Sequence, residues 1–471
     1  MGADVADSLT APTRRPARPA PRRAPAVPRR WGVRRGDVVA VIGANALVVM
    51  VMWVRHGGAS NLGGTGALLT AVGQVTALLG TYAALVQILL MSRNPWLESL
   101  FGMRALAQWH RWLGFSTVVL ICAHVVFTTL GYAQGDRTSA TSEAWTIVTT
   151  YPWMLMATAG TALLVLIAVT SLRAARARMR HETWHFVHLY GYLAIALGFG
   201  HQLAVGTDLS DDPVARGYWV ALYAAVIASV LAFRVWAPLR LSLRHDLRVD
   251  RVIQEAPGVV SIYITGRDLH ELPARAGQYF LWRFMTGDGW WHAHPFSLSA
   301  PPNGDWLRVT VRAVGAHTHS VRRLKPGTRV IVEGPYGVFT ALRRTHPRVL
   351  LVAGGIGITP LRALLDEMPR GKNAVTLLYR ARTWDDVIFR DELDALVREH
   401  GGVVHYIVGR RGVDVHPDPF APRFIRQAVP DVQQRDVFVC GPPSMEDAVQ
   451  QSLENLGVPP RQIHREHFAY L

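Results

Sequence analysis

Six apolar runs crowd the first half of the chain, at residues 38–54, 68–91, 107–132, 153–172, 184–206 and 218–236, and no run of that length follows Trp236. A helix needs roughly 20 predominantly apolar residues to cross the hydrocarbon core of a bilayer. There every backbone polar group must be satisfied within its own segment, which restricts such runs to helices. Residues 37–240 are therefore expected to form a six-helix transmembrane bundle.

Residues 1–36 are rich in Arg, Pro and Ala, bury too little apolar surface to order themselves, and read as a disordered basic tail. The tail is too long for the n-region of a signal peptide, and no small-residue cleavage site follows the first run. The formal charge of +16 would suit nucleic acid, but many arginines gather beside the spans. Anionic headgroups and topology account for them there, so membrane lipid is the expected partner and nucleic acid is not. Cys122 and Cys440 have neither zinc nor disulfide spacing.

The loops give an orientation. Nine arginines between Arg14 and Arg35 precede the first span. Arg93, Arg104 and Arg111 lie between the second and third spans or at the latter's start, and Arg173, Arg176, Arg178 and Arg180 lie between the fourth and fifth. The alternate loops hold only Arg55, Arg137 and Arg216. By the positive-inside rule the amino terminus and everything after the sixth span face the cytoplasm, with the plasma membrane as the expected location.

Within two spans lie His110, His124, His188 and His201. Ionisable side chains at membrane depth are costly and mark function, and neutral imidazole is a common ligand of haem iron. His110 and His124 are 14 residues apart, about 21 Å of rise with both on one helix face. His188 and His201 are 13 apart, which leaves them roughly 140° from a shared face on an ideal helix. A bend at Gly191, Gly198 or Gly200, or two haems approached at different angles, would each reconcile the second pair. His181 and His185 read as headgroup or propionate contacts.

After the spans the periodicity changes. From about residue 247 to 340, strand-like runs such as VVSIYITG, QYFLWRF, WLRVTVRAV and TRVIVEG alternate with turn residues. They predict a small antiparallel β-barrel over 245–342. From 345 to 471, VLLVAGG, AVTLLYRA, VVHYIVG and DVFVCGPP alternate with helical segments, which predicts an α/β domain around a parallel sheet. In VAGGIGITP, Gly354, Gly355 and Gly357 allow the backbone to approach a pyrophosphate. Thr359 is read as the N-cap of the helix that follows and Pro360 as its first turn.

These segments resemble the ferric reductase and NADPH oxidase superfamily, over about residues 38–471. HRWLGFSTVVLICAH at 110–124 and WHFVHLYGYLAIALGFGH ending at His201 look like that family's third and fifth helices, with its histidine spacings of 14 and then 13. The resemblance implies two haem b groups, His110 with His188 holding the inner and His124 with His201 the outer. HPFSLSAPP is similar to the flavin motif of ferredoxin–NADP reductase-type barrels, here with His294 where the soluble reductases carry Arg. It implies FAD beside His294, Pro295, Phe296 and Ser297, Phe296 turning a flat face to the ring and the Ser297 hydroxyl bonding a flavin nitrogen. Because histidine pairs with phosphate more weakly than guanidinium does, Arg312, Gly315 and Thr318 are expected to help hold the pyrophosphate. GQYF at Gly277 and GPYG at Gly334 fall where this fold has them.

VAGGIGITP and CGPPSM, with Cys440 and Gly441, resemble the NAD(P)H lobe of the same reductases. Arg380, Arg382, Arg410 and Arg411 at strand ends suit a 2'-phosphate, favouring NADPH over NADH. Tyr470 resembles the family's terminal aromatic, which covers the flavin. The expected activity is transfer of electrons from cytoplasmic NADPH, through FAD and two haems, to oxygen or ferric iron outside. A haem-free anchored flavoprotein and a histidine-based proton channel or haem sensor are the rival readings.

Overall fold

The computed structural model describes residues 34–60, 62–179, 181–206, 212–287, 292–313, 321–416 and 418–466. The basic tail therefore lies outside the described residues as far as residue 33, and its last two residues belong to the first helix. Ten helices lead the chain: α1 (Arg35–Arg55), α2 (Thr65–Leu90), α3 (Pro95–Phe101), α4 (Met103–Gly135), α5 (Ala140–Thr150), α6 (Met154–Ser171), α7 (Arg173–Arg176), α8 (His181–Val205), α9 (Pro213–Val230) and α10 (Ala237–His245). A π-helical turn at Leu231–Trp236 joins the last two into one rod.

Among the described residues five helices are long and apolar enough to cross a membrane: α1, α2, α4, α6 and the rod Pro213–His245. The sixth expected crossing coincides with the 25-residue α8, which carries several histidines and tyrosines and Gln202 and is not among those five. The short helices α3 and α5 escape a search for long runs but start on clear signals. Asn94 Oδ1 accepts from Trp96 N at 2.9 Å, and Ser139 Oγ accepts from Ser142 N at 3.2 Å.

α2 and α4 approach closely because Gly66, Gly73 and Gly80 recur every seven residues along α2. A Cβ on these would lie 3.1 Å from Gly131 O, 2.9 Å from Thr128 N and 3.0 Å from Ile121 Cδ1 respectively. Small residues at such a seam let two backbones meet without lipid between them. Gly160 does the same for α6, where a Cβ would sit 2.7 Å from Ala194 O on α8.

The remainder is built from β1 (Arg248–Ala256), β2 (Val259–Thr265), β3 (Tyr279–Phe284), β4 (His294–Ser297), β5 (Leu307–Arg312) and β6 (Val330–Tyr336). These form two three-stranded antiparallel sheets, in orders β1-β2-β5 and β4-β3-β6, around a core that includes Ile262, Phe280, Trp282 and Val309. Single bridges at Leu298↔Val309 and Arg248↔Arg329 link them. The charged strand β1 carries no hydrophobic alternation and was not among the expected strands.

Then follow β7 (Arg348–Gly354), α11 (Ile358–Leu365), β8 (Val375–Ala381), α12 (Arg390–Glu399), β9 (Val403–Val408), α13 (Pro422–Ala428), β10 (Arg435–Cys440), α14 (Pro443–Asn455) and β11 (Ile463–Arg465). Their parallel sheet has the order β11-β10-β7-β8-β9. The strand order reverses between β7 and β10, and in open α/β sheets ligands bind at the carboxyl ends of the strands flanking such a switch.

Candidate cofactor sites

On α4 both histidines are oriented by the neighbouring helix. His110 Nδ1 lies 3.1 Å from Gln87 O, and His124 Nδ1 lies 3.0 Å from Gly73 O and 3.2 Å from Thr128 Oγ1. Gln87 and Gly73 are themselves 14 residues apart on α2, so the antiparallel pair repeats one arrangement at two depths. A ring whose Nδ1–H is given to a carbonyl keeps its Nε2 lone pair free for a metal.

Opposite them stand the histidines of α8. The rings of His110 and His188 have centroids 5.8 Å apart and lie at 74° to each other. Imidazoles bound on opposite sides of one metal, each about 2 Å from it, bring their centroids about 6 Å apart. His188 also stacks on Trp184 at 5.0 Å, and Arg176 lies 4.1 Å over the Trp184 ring. His188 Nδ1 and His201 Nδ1 are buried with no hydrogen-bond partner among the described residues. Each pair supplies two donors, too few to enclose a bare ion but the number that an iron porphyrin leaves open. The residues present fit that group.

α8 runs from His181 to Val205 as α-helix without a 3-10 or π turn. The residue in phase with His188 at the outer level is therefore Gln202, 14 positions on. Its side chain donates to Thr81 Oγ1 at 3.3 Å and accepts from Tyr223 OH at 3.0 Å. His201 is turned about 100° away from that contact.

β4 carries the flavin motif, with one departure from expectation. The Phe296 ring is stacked on His294, centroids 5.5 Å apart and planes within 4°, because residues two apart share a strand face. Pro295 pairs with Leu281 across the sheet, and Trp282 Nε1 donates to Phe296 O at 2.9 Å. Ser297 is 4% exposed, and its Oγ is buried without a partner among the described residues. Such an orphaned hydroxyl is what a bound flavin would satisfy. Arg312, expected at the pyrophosphate, donates from its NH2 to Asp386 Oδ1 at 3.0 Å, tying β5 to the following lobe. Gly315, Thr318 and Tyr470 lie outside the described residues.

The glycine turn closes the switch point. Gly354 ends β7, Gly355 has φ +54°, and Gly357 is the N-cap of α11. A Cβ on Gly441 would lie 2.7 Å from Met445 Cε and 3.2 Å from Gly354 Cα, and one on Gly357 would press on Cys440 O. The carboxyl ends of β7 and β10 thus meet backbone to backbone. Thr359 does not cap the helix as expected. It is the second helical residue, and its hydroxyl donates to Ile356 O at 3.0 Å. Cys440 is fully buried, and burial, followed by nearby Glu446 and Glu466, pushes its thiol well above the ordinary value.

The strand-end arginines divide by partner. Arg380 donates to Ile407 O at 3.0 Å and Gly409 O at 2.6 Å, so it pins the ends of β8 and β9 rather than reaching outward for a phosphate. Burial, then the charges of Arg382 and Arg411, lower its pKa. Arg410 is 75% exposed and is held by Asp414, with Nε 3.5 Å from Oδ2.

A cluster at the seam between the helices and the flavin sheets had no motif to announce it. Glu98 Oε1 accepts from Gly337 N at 2.9 Å, and Arg93 Nε lies 3.4 Å from Glu333 Oε1. Burial raises Glu98 to about 7 and Glu466 to about 8. The only sequence signal was an acid and a base in the loop after an apolar run.

An apolar helical half thus precedes a half with flavin-type and nucleotide-type sheets, the plan of a membrane oxidoreductase. Residues 76–199 match the family "Ferric reductase like transmembrane component", and residues 351–451 match "Oxidoreductase NAD-binding domain". Ferredoxin–NADP reductase B of Sorangium cellulosum is 34% identical over 188 residues, covering 37% of this chain and 77% of that protein. NADH oxidoreductase HCR of Escherichia coli is 30% identical over 221 residues, covering 45% of this chain and 65% of that protein. A Neisseria gonorrhoeae ferredoxin NADP+ reductase, solved with FAD and NADP bound, has a TM-score of 0.41 at 19% identity over 47% of this chain and 98% of that one. The chain belongs to the ferric reductase-like oxidoreductases in which a transmembrane component is fused to a ferredoxin–NADP reductase-type module binding FAD and NAD(P)H.

Proposed function

We propose that this protein is a plasma-membrane flavohaem oxidoreductase that takes electrons from cytoplasmic NADPH and delivers them to oxygen or ferric iron on the outer side. The observation that carries the reading is the doubled hydrogen bond from α4 to α2, His110 to Gln87 O and His124 to Gly73 O. It supports His110 with His188 as the ligands of an inner haem b, and His124 with His201 as those of an outer one. When bound, FAD would accept hydride from the nicotinamide, and the haems would carry single electrons through the bundle.

The chain's own groups hold and orient. The Ser297 hydroxyl bonds the flavin ring, with His294, Pro295 and Phe296 lining its strand and Gly315 and Thr318 serving the pyrophosphate. Gly354, Gly355, Gly357 and Gly441 admit the dinucleotide backbone at the switch point, beside Thr359 and Cys440. Arg382, Arg410 and Arg411 take the 2'-phosphate beside Arg380, which fixes their turn, and Tyr470 covers the flavin. In this reading α8 is the sixth crossing, and the two three-stranded sheets are one barrel joined through their bridges. The arginine-rich loops, Arg93, Arg104 and Arg176 among them, lie at the cytoplasmic face.

Anaerobic addition of NADPH to the purified protein tests this directly. The haem Soret and alpha bands are expected to shift to their reduced positions, and His124→Ala or His201→Ala should remove the outer haem's signal while leaving flavin reduction intact. Absence of haem absorbance would leave only an anchored flavoprotein; haem that NADPH does not reduce would leave a sensor or channel.

A further inference from the structure

The loop between α2 and α3 is built more rigidly than a connection requires. Arg234 Nε donates to Met91 O at 2.9 Å, and Ser229 Oγ donates to Ser92 Oγ at 3.0 Å, so the last rod clamps the loop. Between these clamps and the Asn94 cap, Arg93 is held at φ +65°. A non-glycine residue in the left-handed region is costly and persists only where its surroundings over-determine it.

The clamp aims the Arg93 side chain into the seam. Its side chain is 13% exposed, and both Nε and NH1 are buried without a hydrogen bond among the described residues. Glu333 at 3.4 Å is its ion-pair partner, and the Tyr336 ring lies 5.1 Å from its Cζ. Glu333 is itself shared, since it accepts from Tyr336 OH at 2.9 Å and lies 3.6 Å from Arg283. Tyr336 packs against Tyr279, centroids 5.7 Å apart, and Tyr279 is the cross-strand partner of Ser297, whose buried hydroxyl is also unsatisfied. A buried hydroxyl from the flavin sheet and a buried guanidinium from the helices therefore flank one pair of tyrosines.

We propose that Arg93 completes the flavin site from the membrane side, its guanidinium facing the oxygen- and nitrogen-bearing edge of the flavin ring and favouring the reduced, more negative form. This rests on the reading of the Ser297 strand as the flavin site. A ring edged with acceptors can draw on the Arg93 charge from across the tyrosine pair while it bonds the Ser297 hydroxyl, which a bare anion does not. A buried cation stabilises whichever redox state carries more negative charge. Electrons then leave for the helices from a flavin whose affinity for them is set by a residue of those helices.

The test uses full-length protein in detergent micelles, stripped of flavin and titrated with FAD, FMN and riboflavin by fluorescence quenching. Arg93→Met is expected to weaken all three by a similar factor of about tenfold, the loss of one charge-assisted hydrogen bond. The preference for reduced over oxidised flavin should fall by about tenfold, which for a two-electron couple lowers the midpoint potential by about 30 mV. Arg93→Gln, which keeps a donor for Glu333, should show the same potential shift, and Arg93→Lys should not. Should Arg93→Met fail to fold, the Gln and Lys pair decides. Unchanged binding and potential in Arg93→Gln overturns the proposal, as does a loss confined to the phosphate-bearing flavins. Failure of the unmodified protein to bind any flavin overturns the flavin reading instead.

Discussion

Gly73→Ala separates a packing role for the α2 stripe from its proposed role in holding an outer haem. The added Cβ would lie 2.9 Å from Thr128 N and 3.3 Å from Thr128 Cα, besides pressing on Thr128 Oγ1. The first two are backbone atoms that cannot rotate away, so α2 must retreat from α4 by several tenths of an ångström. The His124 Nδ1 to Gly73 O bond, 3.0 Å long, stretches with that retreat. Overpacking costs about 1–3 kcal/mol, the weakened hydrogen bond about 1 kcal/mol, and the better helix propensity of alanine returns about 1 kcal/mol. The net is a loss of about 1–3 kcal/mol, which most bundles survive. The larger effect falls on the metal, because removing an orienting partner of a ligating histidine typically costs about 10–100-fold in affinity. Haem content per protein and a potentiometric titration of the alpha band are the assay. Two reductive steps should become one in Gly73→Ala, with the inner step unmoved. Gly43→Ala, where the added carbon meets nothing within 4 Å, should keep both. Two unchanged steps in Gly73→Ala would refute the claim that the α2 carbonyl holds His124 for iron.

Three further outcomes follow from the soluble half and its seam. Arg382→Ala combined with Arg411→Ala should lower kcat/KM for NADPH by about tenfold or more with little change for NADH; equal losses for both nucleotides would place these arginines away from the 2'-phosphate. Burial lifts Glu98 to about 7 and Glu466 to about 8 from a carboxyl value of 4.5. The unfolded chain therefore sheds these protons first, so their stabilising contribution is complete below about 4.5 and is lost as pH rises through about 7 and then about 8. Thermal unfolding followed across that window should show a decline that Glu98→Gln reduces, and a rise in stability would contradict the burial of these acids. Cys440, fully buried with its thiol pushed up, should resist alkylation in the native protein near neutral pH and react on unfolding; mass spectrometry of labelled native protein checks this.

Much of the architecture was legible because it rests on local periodicity. The apolar runs became α1, α2, α4, α6 and the α9 rod, and the alternating segments became β2, β3, β5 and β6. The glycine turn could be placed because a strand, a Gly-rich corner and a helix start are all local signals. What stayed hidden depends on partners far away in sequence. Whether an arginine meets a phosphate, a carbonyl or a carboxylate is a tertiary matter, and so Arg312 is found on Asp386 and Arg380 on the β9 carbonyls. Thr359 had good N-cap chemistry, but the helix begins two residues earlier than that role requires, at Ile358. The heptad Gly66, Gly73 and Gly80 was readable and would have located the helix that orients His124.

Arg93 shows why the seam was the hardest part to read. In the sequence it is one more arginine beside a span, and its contribution to the positive-inside count is the same whatever it touches. The folded chain adds what a charge count cannot carry: a left-handed backbone, a clamp from Arg234 and Ser229, and a guanidinium buried between Glu333 and Tyr336. A residue placed by topology is thereby available for electrostatics at the seam between the two halves. The same argument extends to Glu98, five residues on, whose carboxylate receives the Gly337 N–H from the flavin sheets. If these contacts hold the halves in register, electron transfer to the helices and flavin binding are set by one short loop. Substitutions in it should then disturb both together, whereas substitutions at His110 or His188 should disturb only the first.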